Sequence, residues 1–307
     1  MTVSTICRRL LLPLSSGAAL GAALTFYAWQ ASKRVELTRV PIVVPGLPPG
    51  LEGLRILHVA DTHFPANGES LERFLRAAKS QDYDIVFATG DYADTSDGWP
   101  VVVEAFRRLK PGLGIYASLG GHERYPGAHH AGGQRTLGGD LRRFLNRVRG
   151  SHRALVDPAP LIAALEEVGV TVLVNENHSI ELGGELVHLI AIDDAYLGLA
   201  DLEHALPEPG GDGFRLLLSH TPDGLLHPRA AEVNLALSGH THGGQIRLPF
   251  YGAPVRHARS VDRIRTAGLL QISGVPTFVS RGFGTALLPL RLGARPELAV
   301  LELHRAD

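Results

Sequence analysis

Six side chains able to hold a metal ion stand at or just past the ends of apolar runs. "VADTH" carries Asp61 and His63, "ATGDYAD" carries Asp91, "LLLSH" carries His220, and "LALSGHTHGG" carries His240 and His242. A fifth run, "IYASLGGHE", ends on His122. Two residues apart on an extended segment, Asp61 and His63 would point the same way and could grip one ion. Carboxylate and imidazole donors suit Mn²⁺, Fe or Zn²⁺ rather than Ca²⁺ or Cu⁺. There are too many donors for one tetrahedral ion. Two divalent ions roughly 3.5–4 Å apart, sharing one carboxylate, use them economically and form a clamp for in-line displacement at phosphorus. A lone histidine after a strand is commonly a hydrogen-bonded structural residue; five such endings in one chain argue for a shared purpose.

That purpose requires elements that bring the endings together. Residues 54–60, 84–90 and 114–120 read as buried strands. The amphipathic stretch 69–80, with Leu71, Phe74, Leu75 and Ala78 on one face, and a second helix around 99–109 lie between them. This alternation predicts parallel strands with crossover helices. In such sheets, ligands gather outside the carboxyl ends of the strands. Further strands are expected near 171–174, 178–182, 186–192, 214–219, 233–238, 276–280 and 297–303. The expected fold is therefore α/β: two packed mixed β-sheets flanked by helices, in one domain over residues 51–307.

The 307 residues carry 30 basic and 31 acidic side chains, a balance that does not suggest a general nucleic-acid binder. The single cysteine, Cys7, excludes an intrachain disulfide framework and a CxxC metal knuckle, so a metal must rely on His, Asp, Glu or Asn. Residues 1–34 read as a membrane anchor or signal segment: Arg8 and Arg9 precede 20 uncharged residues, Leu10 to Trp29, about the length that spans a bilayer. No small-x-small cleavage site precedes Lys33, which favours an uncleaved anchor; a signal peptide, including a twin-arginine export signal, is the alternative. Basic residues flank the segment on both sides, so the positive-inside rule assigns the domain to neither face of the membrane. The proline-rich stretch 35–50 reads as a linker.

Residues 124–153 depart from the strand-helix rhythm, with seven arginines against one acid, Asp140. They read either as a solvated basic helix in a loop insertion or as a lid over an anionic substrate, with Arg124, Arg142 and Arg143 as candidate contacts.

Taken in order, D-x-H (Asp61, His63), G-D-x-x-D (Asp91, Asp94), G-x-H-E (His122, Glu123), His220 and G-H-x-H (His240, His242) resemble the calcineurin-like metallophosphoesterases. "GHTHGGQI", "IDD" at 192–194 and "VSRGFGT" at 279–285 look like a bacterial membrane-associated branch of that superfamily. The resemblance implies a first ion on Asp61, His63, Asp91 and His242, and a second on Asp91, His220 and His240, with Asp91 bridging. It implies attack on phosphorus by a hydroxide held between the ions, with His122 protonating the leaving oxygen. Asp94 matches the acid that orients that histidine, although a solvated turn aspartate is the plainer reading. The substrate implied is a phosphodiester, pyrophosphate or phosphomonoester, and the membrane segment favours an envelope or lipid-linked one. A nuclease of the same superfamily fits less well with the near-neutral charge.

The chain departs from the family at one position. Where the family has an asparagine that ligates the second ion, in G-N-H-D or G-N-H-E, this sequence has Gly121. The consequence is an enzyme with a loosely held second ion, a replacement ligand from elsewhere (His129 and His130 are candidates), or a metal-binding protein that recognises phosphorylated ligands without turnover.

Overall fold

In the strand Ile85–Thr89 every residue is buried, so it is covered on both faces. Ile85 and Phe87 face one apolar layer, while Val86 and Ala88 face another. That alternation follows from the two-residue period of a strand, and it fixes a layered architecture. The computed structural model describes residues 19–124 and 155–306. One six-stranded sheet runs in the order β1 (Glu36–Val44), β12 (Glu297–Arg305), β2 (Arg55–Val59), β3 (Ile85–Thr89), β4 (Ile115–Ser118), β5 (Val170–Val172). The other runs β10 (Gly268–Ile272), β11 (Val275–Val279), β9 (Leu235–Ser238), β8 (Phe214–Ser219), β7 (Glu185–Ile192), β6 (Glu176–Leu182). Strands β2 to β5 are mutually parallel, with Ile56 opposite Ile85 and Phe87 opposite Tyr116. So are β7, β8, β9 and β11. Antiparallel β6 and β10 close the second sheet at its two edges.

The two sheets pack through Ile56, Phe87, Leu189, Leu216, Leu237, Phe278 and Leu301. Helices Leu71–Lys79, Trp99–Arg108 and Ala159–Glu166 cover the outer face of the first sheet through Phe74, Phe106 and Leu161. Burying each of those two phenylalanines contributes about 1.5–3 kcal/mol. The helix at 71–79 buries Phe74, Leu75 and Ala78, the face its spacing predicts. Short helical segments, Leu202–Ala205 and Pro222–Leu226, cover the other sheet through Leu202 and Leu225. The mixed sheets and flanking helices match the expected fold class.

Two stretches differ from expectation. Residues 36–44, read as linker because of their prolines, form β1 and pair in parallel with β12 along their whole length. Pro41 is accommodated because β1 is an edge strand, where a missing N–H costs no ladder bond on the open side. Ile42 and Val44 enter the core between the sheets. Strand β10 also escaped the pattern, since its exposed and buried residues alternate without a continuous apolar run. In the N-terminal segment, residues 19–31 are helical, with Ala28 and Ala31 buried. The backbone N–H of Arg291 donates to Ala28 O at 2.9 Å, and Ser32 Oγ donates to Pro289 O at 3.1 Å. Residues 10–18 of the expected span lie outside the described residues. No helix among the described residues is long and apolar enough to cross a membrane.

A titratable side chain sits within the inter-sheet layer. His58 on β2 is 1% exposed, packs edge-on against Phe278 and shares a 3.0 Å hydrogen bond with Thr89 Oγ1. Burial pushes its imidazole down to about 3. Between pH 6.5 and 3 the unfolded chain therefore takes up a proton that the folded chain refuses, and stability falls with pH across that window. His58→Leu is expected to remove on the order of 2 kcal/mol of the loss between pH 7 and pH 5, read from urea unfolding at the two pH values.

Candidate metal centre

Each candidate ligand follows the carboxyl end of a parallel strand: Asp61 and His63 after β2, Asp91 after β3, His220 after β8, His240 and His242 after β9. His122 follows β4 in the same way. The strand endings therefore meet where the sequence places them, but the local geometry is not extended. Asp61, His63, Asp91, His240 and His242 all have positive φ, between 44° and 68°. The left-handed region is unfavourable for such residues and is kept where surrounding bonds over-determine it. Here Asp61 N donates to Gly90 O, His63 N to Asp91 O, and Gly284 N to Asp61 O. The "VSRGFGT" stretch thus supports the first ligand loop. Gly90, at φ +83°, lets β3 turn against Gly120, where a Cβ would lie 2.2 Å from the Gly120 nitrogen.

The donors form two trios. Asp61, His63 and His242 offer atoms within 4.8 Å of one another, as do Asp91, His220 and His240. In the first, His63 Nε2 and His242 Nε2 are 3.2 Å apart; in the second, His220 Nε2 and His240 Nδ1 are 3.1 Å apart. The outer nitrogens explain what the His220–His240 pair requires. His220 Nδ1 donates to Thr89 O at 2.7 Å and His240 Nε2 donates to His257 O at 3.1 Å. In their neutral forms, both rings therefore turn bare lone pairs toward each other. Two lone pairs at that distance repel unless a cation or proton stands between them. Carbonyl or carboxylate partners on the far nitrogen are the usual orienting contacts of metal-binding histidines. The residues present thus fit divalent cations.

Asp91 lies between the trios. Its Oδ1 accepts from His122 N at 2.8 Å. Its Oδ2 is 3.3 Å from His220 Nε2, 3.8 Å from His63 Nε2 and 3.9 Å from His122 Nε2. Burial pushes the Asp91 carboxyl up, but His220 and His122 pull it down further, and it stays ionised well below the usual range. Burial pushes Asp61 up to about 6, partly offset by His220. His220 itself is pushed down by burial and up more strongly by Asp91 and Asp61. Burial and then the neighbouring His220 drive His240 well down, favouring the neutral ring.

His122 stands at the rim, with its side chain 19% exposed and its ring edge-on to His63. Asp94 lies beside both His122 and His63. Its Oδ1 accepts from His63 Nδ1 at 2.9 Å, so it fixes a first-trio histidine, while still lying within 4.8 Å of His122 as well. Arg124 does not stand open for an anion: its guanidinium pairs with the buried carboxylate of Asp193. Arg142, Arg143, His129 and His130 lie outside the described residues.

Four partners of this site received no role from the sequence. Arg291, fully buried, donates from Nη2 to His242 Nδ1 at 3.0 Å and from Nη1 to His242 O at 2.7 Å. Burial pushes its guanidinium down to about 9. Glu123 is buried and accepts from Asp91 N, Tyr92 N and Gly120 N at 2.8–2.9 Å, tying the β3 and β4 loops together. Burial, reinforced by Asp91, pushes its carboxyl up to about 7. The aspartates of "IDD" grip the same turn, Asp193 through Arg124 and Asp194 beside Gly121. "IDD" was noticed as a motif, but nothing in its spacing says what it touches.

Fold and donor set are those of a metal-dependent phosphoric ester hydrolase. The Calcineurin-like phosphoesterase profile matches residues 54–244, and the chain belongs to that family. It is 29% identical over 279 residues to the metallophosphoesterase YkuE of Bacillus subtilis, covering 89% of this chain and 87% of that one. It is 28% identical over 255 residues to the phosphodiesterase YaeI of Escherichia coli, covering 81% and 82%. It is 27% identical over 243 residues to the UDP-2,3-diacylglucosamine pyrophosphatase LpxG of Chlamydia muridarum, covering 70% and 71%.

Glu123→Ala leaves three buried N–H groups without their acceptor. The expected cost is at least about 3 kcal/mol of unfolding free energy, read by urea denaturation, with Glu123→Gln falling between it and the native chain.

Proposed function

We propose that this chain hydrolyses a phosphodiester or pyrophosphate of an envelope or lipid-linked substrate at a two-cation centre. The observation that carries this reading is the facing His220–His240 couple beside Asp91, whose neutral rings turn lone pairs toward each other and need positive charge between them. Asp61, His63, Asp91 and His242 would hold one cation, and Asp91, His220 and His240 the other. Mn²⁺, Fe or Zn²⁺ suit this nitrogen and oxygen set. Bound there, the pair of cations would polarise the phosphoryl group and activate water for in-line attack.

The chain's own groups then have distinct tasks. Asp94 holds His63 in one tautomer, and the Thr89 and His257 carbonyls do the same for His220 and His240. His122, at the rim and with Nε2 3.9 Å from Asp91 Oδ2, is placed to pass a proton from its ring to the departing oxygen. Tyr196, half exposed and 5.2 Å from the His240 ring, offers an aromatic face beside the second trio.

A lipid-linked substrate is supported by the apolar segment that leads to His257. Leu248, Phe250, Tyr251 and Val255 are exposed there, with Arg256, Arg259, Arg263 and Arg265 exposed around them. Aromatic tips with a basic surround suit an anionic lipid interface. The segment borders the 286–292 strap on which the N-terminal helix also rests: Arg247 N donates to Leu292 O, and Arg291 N donates to Ala28 O. The relative that cleaves a UDP-linked diacylated sugar points the same way.

His122→Ala is expected to lower turnover of a pyrophosphate or diester substrate by about 10²–10⁴-fold while leaving metal content unchanged, read by steady-state kinetics and elemental analysis on one preparation. Unchanged turnover would remove His122 from the reaction. A native chain that binds such phosphates and turns none over would support the non-catalytic binding protein instead.

A further inference from the structure

Gly121 is not needed for backbone conformation, because its φ lies outside the left-handed region. A side chain here would compete with the Asp194 carboxylate for the same space. A Cβ at this position would lie 2.7 Å from Asp194 Oδ2, closer than real side chains approach. The volume next to residue 121 is therefore already taken by a carboxylate.

That carboxylate is half satisfied. Asp194 is 1% exposed, and its Oδ1 accepts from Tyr196 N at 2.9 Å and Thr221 Oγ1 at 2.8 Å. Its Oδ2 is buried and accepts from no donor among the described residues. A buried carboxylate oxygen without a donor is costly, and such atoms call for a partner such as an ion. Thr221 follows His220 directly, so Asp194 is anchored beside the second trio, and His220 and Asp91 are its strongest charged neighbours.

We infer that Asp194 Oδ2 is the ligand that replaces the missing asparagine at the second cation, completing the set of Asp91, His220 and His240. This rests on the two-cation reading of the site. The Asp194 carboxylate stands outside the trio of donors within 4.8 Å of one another, so ligation closes it inward by a side-chain rotation. With glycine on the β4 loop the ligand position there is left open, and the carboxylate from the β7 end enters that space. A neutral amide carbonyl is traded for a carboxylate, which brings one more negative charge to the second cation.

The test is Mn²⁺ binding to the full chain by equilibrium dialysis, with bound metal read by elemental analysis and folding checked by thermal melting. Asp194→Asn keeps the oxygen that accepts from Tyr196 N and Thr221 Oγ1 and turns a non-ligating NH₂ toward the trio. The native chain is expected to hold two ions. Asp194→Asn is expected to keep one and weaken the other by at least about 100-fold, since losing groups that merely orient ligands already costs ~10–100-fold. Asp194→Ala combined with Gly121→Asn is expected to regain the second ion, because the asparagine then has both room and a vacancy to fill. Unaltered affinity for both ions in Asp194→Asn overturns the assignment of Asp194 alone. A native chain that holds a single ion overturns the two-cation reading and this inference with it.

Discussion

A buried carboxylate among imidazoles sets the terms for the rest of this structure. Asp91 stays ionised while 4% exposed, with His220, His63 and His122 ranged within 3.9 Å of one oxygen. Removing such a charge from water costs several kcal/mol unless the surroundings supply compensating charge and hydrogen bonds. The His122 amide supplies a hydrogen bond to Oδ1, and the facing His220–His240 pair defines where positive charge belongs. The loops after β2, β3, β4, β8 and β9 bring their side chains to that site.

The arrangement is held by strain and by bonds that offset it. Five of the six candidate ligands sit in the left-handed backbone region, which turns each side chain back over its strand end. Loops from different strands hold one another there: Glu123 collects three N–H groups from the β3 and β4 turns, and Gly284 backs Asp61. Arg291 reaches under His242 and also bonds Arg281 O and Gly284 O. Such a site is preorganised by parts of the chain far apart in sequence, so its ligands do not depend on one flexible loop.

Much of this was legible from residue order alone. Apolar runs ending in Asp or His gave away the strand ends, because a parallel strand buried on both faces is largely apolar and its polar residues gather where it stops. Strand β1 was hidden by Pro41, which reads as a breaker unless the strand is known to be an edge. The left-handed turns at Asp61 and His63 were also invisible, since period-two reasoning assumes an extended backbone. Partnerships across the fold were the least accessible. Nothing near Asp94 indicates that it binds His63 rather than serving His122 alone, and nothing near Gly121 points 73 residues onward to Asp194. The arginine-rich stretch drew attention for its charge, yet Arg124 is committed to Asp193.

The central claim is that two divalent cations share Asp91. Anomalous diffraction from crystals of the Mn²⁺-loaded chain tests it directly. The account predicts two peaks on either side of the Asp91 carboxylate, roughly 3.5–4 Å apart, one beside His63 and His242 and the other beside His220 and His240. A single peak, or metal bound away from Asp91, would contradict it.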